Sequence, residues 1–457
     1  MKNPFALLVL IVFPVIAVTL SSCSDDIYCP NQQPTEQAKW STHITMDQAK
    51  KRLINIVSEI NSQITEEANR LPSLSAASLE KMQCTALDNQ SKPLTRSNAA
   101  TDASCYVIRM DNDIFAIMSA TTNQPELLAI GKGNPNFEDS TANLPNPNYW
   151  RAPSIGEGVG PDTVSIKTHY VYKRVKTDYT PLYNGGLCKV KWGNYAPYND
   201  KLKMVYDTWG NYVHASTGCV AIALAQLMTT ENLRGAYYKD HTFNWDDLAQ
   251  RKNSEYFTNP TAKEQISTLF EDLVCKENLA SSLGSPTTTT YIWRIPLTLA
   301  NFHFSNVGID TTYYDYDKEN YPPKLDIIKA ELDAGYPVLF HADGMSDTGL
   351  SDGGHQWLCH GLLEAKTLVE VYEVNSIADF ISGNEKGTFV RDFFETSWYL
   401  QMNWGWDGDA DGYYITSFDK ILNNLEGPDI EEIGTPSSTG WNKYIPTSTF
   451  FRYGIRK

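Results

Sequence analysis

Along residues 45–64, apolar side chains recur every three or four positions, at Ala49, Leu53, Ile54, Val57, Ile60 and Ile64. That spacing gathers them on one face and predicts an amphipathic helix, with Thr45 and Asp47 as capping candidates. The period then shortens to two. "SCYVIRMDNDIFAIMSA" alternates as two short strands around an Asp111-Asn112-Asp113 turn, and "PELLAIGKGNP" supplies a third strand ending in Gly and Pro. These segments predict a small α+β unit over 44–135. Residues 136–165 are rich in Asn, Pro, Gly and Ser and hold no period, which marks a linker or an exposed, cleavable segment.

A second domain is predicted over 166–457. Its most apolar stretch, "STGCVAIALAQLM" from Ser216 to Met228, has Gln226 as the one polar residue after Cys219 and reads as a helix buried on nearly every side. Ser216, Thr217 and Gly218 offer N-cap chemistry just ahead of it. Further helices are predicted around "TAKEQISTLFEDLVCKENL" and "PPKLDIIKAELDAG". Strands follow at "YPVLFHAD", "HQWLCHGLLEA", "TLVEVYEVN", "SWYLQMNWGW" and "GYYITSF". Helices first and strands later predict an α+β fold in which the buried helix packs on an antiparallel sheet.

The 457 residues suffice for two or three domains. A net charge of −16 with scattered Lys and Arg offers neither a phosphate-tracking groove nor a polybasic patch, so nucleic acid is not an expected partner. The leader "MKNPFALLVLIVFPVIAVTLSSCSDD" has Lys2, an apolar run from Phe5 to Leu20 and then Leu20-Ser21-Ser22-Cys23. It resembles a bacterial lipoprotein signal, with an ordinary secretory signal or signal anchor as the alternative. The resemblance implies a signal peptide over 1–22, a lipid-carrying Cys23 that tethers the chain to a membrane, and a polar tether over 23–43. Asp25 and Asp26 resemble the marks that some Gram-negative bacteria use to send such proteins outward, so an outer-membrane or cell-surface location is expected. Beyond Cys23 lie Cys29, Cys84, Cys105, Cys188, Cys219, Cys275 and Cys359, an odd number without CxxC spacing. An oxidising compartment permits Cys84 to pair with Cys105, and a thiol is left over in any case.

Candidate chemistry centres on Cys219, which falls in the first turn of the buried helix, where backbone N–H groups and the helix dipole favour a thiolate. Alone, such a cysteine reads first as a small core residue, since a reactive thiol needs a base partner. His355, after Gly353 and Gly354 at a strand entry, shares a strand face with Trp357 and Cys359, whereas His360 faces the other way. A zinc site from His355, Cys359 and His360 is the alternative use of that stretch, and no second ligand pair accompanies it.

The arrangement of "TGCVAIALAQLM", "GGHQWLCHG" and "MNWGWDGDADGYY", with "KWGNYAPYN" and "FNWDDL", resembles the streptopain family of papain-like cysteine peptidases. The upstream "YVIRMDNDIFAIMSATTNQPELLAIGKGN" is similar to the propeptide domain of these enzymes. The resemblance implies a papain-like fold with Cys219 as nucleophile, His355 as general base and then acid, Asn403 as orienter of the imidazole and Trp404 as its indole shield. Asn194 stands where the family has a Gln that serves the oxyanion, one methylene shorter, and His360 stands where Asp is common. "DGDADG" also resembles the start of a calcium loop, with Asp407, Asp409 and Asp411 as oxygen donors, but Phe418 occupies the closing position. No cofactor and no metal are expected.

The implied function is a lipid-anchored cysteine endopeptidase made as a zymogen, acting on protein or peptide substrates and held latent by its own propeptide. The alternative is a catalytically weak or inactive surface binding or inhibitory protein on the same scaffold. Acyl transfer through the same dyad is a third use of these residues.

Overall fold

The computed structural model describes residues 43–87, 94, 103–110, 114–122, 125–132, 169–285, 287–304, 308–310, 325–345, 351–375, 386–415, 449–453 and 455. The expected signal peptide with Cys23, all but the end of the expected tether, the predicted Asp111–Asp113 turn, the predicted 136–165 linker and Phe418 lie outside the described residues.

Helix α1 runs Met46–Gln63. Its first turn is closed by a reciprocal cap: Thr45 Oγ1 accepts the Gln48 N–H, and Gln48 Oε1 accepts the Thr45 N–H at 2.8 Å. Ala49, Leu53, Ile56, Val57 and Ile60 are buried along one face. They share a core with antiparallel strands β1 (Gln83–Leu87), β2 (Cys105–Met110), β3 (Ile114–Ser119) and β4 (Leu127–Lys132). β1 has no clean alternation in the sequence and was not anticipated there. In this register Cys84 faces Ile108 and Cys105 faces Leu87, so the two cysteines are not opposite one another and both remain thiols.

The rest of the chain supplies β5 (His169–Pro181), β6 (Met204–Tyr206), β7 (Tyr212–His214), α2 (Cys219–Met228), β8 (Tyr237–Tyr238), β9 (His241–Thr242), α3 (Trp245–Leu248), α4 (Pro260–Val274) and α5 (Ile295–Asn301). Then come β10 (Gly308–Asp310), α6 (Leu325–Asp333), β11 (Val338–Met345), β12 (Ser351–Val374), β13 (Thr388–Asn403), β14 (Gly412–Ile415) and β15 (Thr449–Tyr453). Two strands predicted at 355–365 and 367–375 are one continuous strand, β12. Nothing between them can turn the chain, and Thr367 Oγ1 meets Thr177 Oγ1 of β5 at 3.0 Å across the ladder.

The main sheet orders its strands β1-β2-β3-β4-β14-β13-β12-β11-β15-β10, with β5 on the far half of β12. Helix α2, wholly buried after Cys219, lies in a core with Trp192, Tyr198, Phe257, Phe270, Leu339 and Leu358. The architecture is α+β: a buried helix against an antiparallel sheet, preceded by a small α+β unit. That unit shares the sheet of the larger one. β4 pairs with β14 through Gly131↔Gly412, Ile130↔Tyr413 and Ala129↔Tyr414. Bonds from Lys132 N–H to Asp411 O (2.9 Å) and from Ala410 N–H to Lys132 O (2.7 Å) extend the seam. Among the described residues no helix is long and apolar enough to cross a membrane.

Gly412 lets that seam close, because a Cβ there would fall inside the contact radius of the Ile130 carbonyl oxygen. Gly412→Ala should push β14 off β4 and cost about 1–3 kcal/mol. Urea unfolding should show the loss, and limited proteolysis should show faster cutting around 125–132.

Candidate functional site

Cys219 opens helix α2, and the residue before it is Gly218 at φ 86°, ψ 144°. Left-handed φ and a Thr288 Cγ2 that would lie 3.1 Å from an added Cβ both require glycine there. The expected capping by Ser216 and Thr217 is not what the fold does. Ser216 Oγ turns to Thr288 and Gly284, and Thr217 Oγ1 donates to Asn194 Oδ1 at 3.3 Å. No side chain covers the first turn, which leaves its N–H groups available to an anion.

Cys219 is half-buried. Burial pushes its pKa up, and the backbone N–H groups of Gln356, Val220 and Cys219 itself pull it down. The Gln356 N–H places the thiol against β12, one residue beyond His355. Helix α2 and strand β12, far apart in sequence, thus bring Cys219 and His355 to one place.

His355 is buried, and its Nε2 lies 3.1 Å from the Trp404 carbonyl oxygen. A carbonyl only accepts, so Nε2 carries the hydrogen and Nδ1 is the basic nitrogen of the neutral ring. The imidazole packs among three indoles, with centroids 5.8 Å from Trp357, 5.9 Å from Trp404 and 4.8 Å from Trp406. Burial drives its pKa down to about 3, which the Trp404 carbonyl partly opposes and His341 reinforces. In this state thiol and imidazole are both neutral.

Asn403 is placed differently from the orienting role implied for it. Its Oδ1 accepts from Gln226 Nε2 (2.9 Å) and Gly405 N–H (3.2 Å), and its Nδ2 donates to the Val190 carbonyl at 2.8 Å. Those bonds occupy Oδ1 and one Nδ2 hydrogen, and the Trp404 carbonyl is a contact that holds the imidazole. Trp404 is buried beside the ring, stacked on Trp357 at 4.8 Å.

Asn194 lies beside the residue that precedes Cys219. Its Oδ1 accepts the Gly218 N–H at 3.1 Å and the Thr217 hydroxyl. Two donors identify that atom as the oxygen and turn Nδ2 away from them. Nδ2 has no protein acceptor among the described residues and remains able to donate.

The other candidates fall elsewhere. His360 is on the opposite face of β12, where its Nδ1 accepts the Cys188 N–H at 3.3 Å, and burial lowers its pKa to about 3. Cys359 is buried with its thiol pushed up to about 12. Among the described residues no three His, Cys, Asp or Glu side chains converge on a metal position. The three aspartates of the glycine-rich turn diverge: Asp407 holds Ser254, Asp409 is exposed, and Asp411 Oδ1 accepts the Trp404 N–H at 2.8 Å. Asp411 is buried, and desolvation raises its pKa to about 6 against the pull of Lys191.

Two residues have supporting roles that were not read from the sequence. Gln226 Oε1 accepts the Trp192 N–H at 2.9 Å while its Nε2 holds Asn403. A lone polar residue in an apolar helix was the available signal. Asp411, which fixes the segment that holds His355, gave none beyond its place in the acidic turn.

A cysteine at the head of a buried helix, an imidazole beside it and amide donors around it make up the site of a cysteine-type peptidase. Residues 192–414, which contain every one of these groups, match the model of the Peptidase C10 family. Two solved structures from Prevotella intermedia are similar to this chain. A prointerpain A fragment is 17% identical with a TM-score of 0.44, covering 82% of this chain and 99% of that one. Active wild-type interpain A cysteine protease is 19% identical with a TM-score of 0.38, covering 60% and 94%. No curated protein matches the chain.

The buried groups set a pH dependence. His355 and His360 have folded pKa values of about 3, below the ordinary 6.5, so their contribution to stability is complete above pH 6.5 and is lost as pH falls toward about 3. Asp411 acts oppositely: its folded value of about 6 exceeds the ordinary 3.8, so a cost present above pH 6 is relieved as pH falls toward 3.8. Between about pH 6 and 4 the three together should lower stability by the slope of one histidine, about 1.4 kcal/mol per pH unit. His360→Gln, whose amide oxygen still accepts from Cys188 N–H, should flatten that slope in urea unfolding measured across this range.

Proposed function

We propose that the chain is a cysteine endopeptidase, exported as a lipoprotein through Cys23 and synthesised as a zymogen whose 44–135 unit restrains the 166–457 peptidase domain until the 136–165 linker is cut. The observation that carries the chemistry is the Cys219 thiol at the head of α2, against the N–H of Gln356, beside an imidazole whose Nε2 is tied to the Trp404 carbonyl. His355 Nδ1 takes the Cys219 proton, and the sulfur attacks the scissile carbonyl carbon. The tetrahedral oxyanion then receives the Cys219 N–H and Asn194 Nδ2. The imidazolium returns its proton to the leaving amine, which departs and leaves a thioester. Water, deprotonated by the same nitrogen, releases the acid product and restores the thiol.

The raised Cys219 and depressed His355 pKa values favour a resting site without an ion pair. This suits a zymogen, and it equally suits the competing use of the scaffold as a surface binding protein without turnover. A peptide epoxide that alkylates thiolates separates the two. Labelling of Cys219 only after the linker is cut supports the zymogen, whereas no labelling before or after supports the inert scaffold.

Cys219→Ala should abolish peptide hydrolysis and self-processing while leaving the unfolding midpoint close to that of the parent. Hydrolysis at the parent rate would sink the mechanism. Asn194→Ala should lower the acylation rate by roughly 10²–10³-fold in single-turnover kinetics. Asn194→Gln tests reach: its amide is about 1.3 Å longer, and it should keep the rate near or above that of the parent if Nδ2 is the oxyanion donor.

A further inference from the structure

The segment that delivers Cys219 to the site also carries the most exposed aromatic cluster among the described residues of the peptidase part. Strands β6 and β7 form a hairpin in which Val205 packs inward, while Tyr206 and Tyr212 sit opposite one another with ring centroids 5.1 Å apart. Trp209, at the tip, is 84% exposed, and Tyr206 and Tyr212 are 72% and 60% exposed. Such rings are seldom left in water without a partner.

The hairpin is rigidly built. Asp207 Oδ1 accepts the N–H groups of Trp209 (2.9 Å) and Asn211 (2.8 Å), and its Oδ2 accepts Asn211 Nδ2 at 3.0 Å. At the base, the Ala215 N–H donates to Lys203 O (3.0 Å), and Asn199 Nδ2 donates to Ala215 O (3.0 Å). From His214 the chain reaches Cys219 in five steps, so the base lies within about 18 Å of the thiol. The same short segment is clasped from its other side. Ser216 N–H donates to Gly284 O, Thr288 Oγ1 donates to Ser216 O, and the chain beyond Thr288 presents exposed Tyr291 and Trp293 stacked at 4.5 Å.

We propose that the 204–214 hairpin is a docking arm for an unfolded polypeptide substrate, with Tyr206, Trp209 and Tyr212 gripping apolar side chains of the chain that runs to Cys219. The proposal rests on the peptidase function and names the substrate form that function prefers. The hairpin runs directly into the Cys219 segment, with its base within about 18 Å of the thiol, which puts the arm within reach of a long substrate. The chemistry of the tip narrows the occupant further. Asp207 and the Asn211 amide nitrogen already make three hydrogen bonds within the turn, which leaves them fewer sites for sugar hydroxyls. From Met204 to Tyr212 there is no Lys or Arg to meet an anionic lipid surface. What the arm presents outward is apolar ring surface.

The test uses the full chain carrying Cys219→Ala, so that binding is read without cleavage. Fluorescein-labelled, reduced and carbamidomethylated α-lactalbumin should bind it, and adding Tyr206→Ser, Trp209→Ser and Tyr212→Ser should weaken binding by about tenfold or more. Trp209→Phe alone should retain most of the affinity. Trp209→Ser alone, at the exposed tip, gives the readout if the triple variant unfolds. In the self-processed enzyme with Cys219 intact, the triple substitution should raise KM for the long substrate at least tenfold more than for a short peptide amide. No measurable binding by the parent, or equal affinity in the variants, overturns the proposal. So does unchanged polypeptide affinity with lost binding to phosphatidylcholine–phosphatidylglycerol vesicles or to chitohexaose. Failure of the processed parent to hydrolyse any peptide would overturn the peptidase function instead, while the binding comparison still reads the arm.

Discussion

Gln226 is a buried amide in an otherwise apolar helix, and the site depends on the two bonds it makes. Its oxygen accepts the Trp192 N–H and its nitrogen donates to Asn403 Oδ1, both at 2.9 Å. The first bond ties the nucleophile helix to the segment that carries Asn194. The second ties it to the end of β13, where Asn403 holds Val190 and Gly405 and the next residue, Trp404, offers its carbonyl to His355. Cys219, His355 and Asn194 come from three distant stretches of chain, and one side chain keeps those stretches in register. Its burial raises the stakes, since an amide in that core without partners would cost about 1–3 kcal/mol for each unsatisfied group.

From the other end, the same segment is held by the N-terminal unit. Asp411 accepts the Trp404 N–H, and the residues around Asp411 are zipped to Lys132 and Gly131 of β4. The apolar contacts follow the hydrogen bonds: Phe115, Ile117 and Leu128 share a core with Trp357, Trp404 and Tyr414. The N-terminal unit therefore touches the base of the site through backbone pairing and packing, and any change in that seam reaches the peptide group that orients His355.

Low polarity around the pair has a chemical consequence. Three indoles surround the imidazole, and burial opposes charge on both His355 and Cys219. A thiolate–imidazolium pair forms more readily once the two charges appear together, because each then supplies the opposite charge that its partner lacks in the neutral state.

Much of this was legible in the sequence for identifiable reasons. Period and capping located α1, the strands that bracket Asp111–Asp113 and the buried helix, because those elements are governed by local spacing and turn chemistry. The motifs around Cys219, His355 and Asn403 pointed to the peptidase family, and the family model covers that same stretch. β1 and β5 escaped notice because their strand state comes from pairing with β2 and β12, not from alternation of their own. The split of β12 was misplaced because a strand can run on wherever a neighbour continues to supply hydrogen bonds. Asn403 shows the limit most plainly: residue type and motif named an amide near the base, but which partner an amide takes depends on what the fold brings within about 3 Å. Here that was Gln226, with the Trp404 carbonyl left to hold the imidazole. Local sequence determined the elements and the reactive groups, whereas the partners of those groups, their burial and the joining of two predicted units into one sheet were decided only by long-range packing.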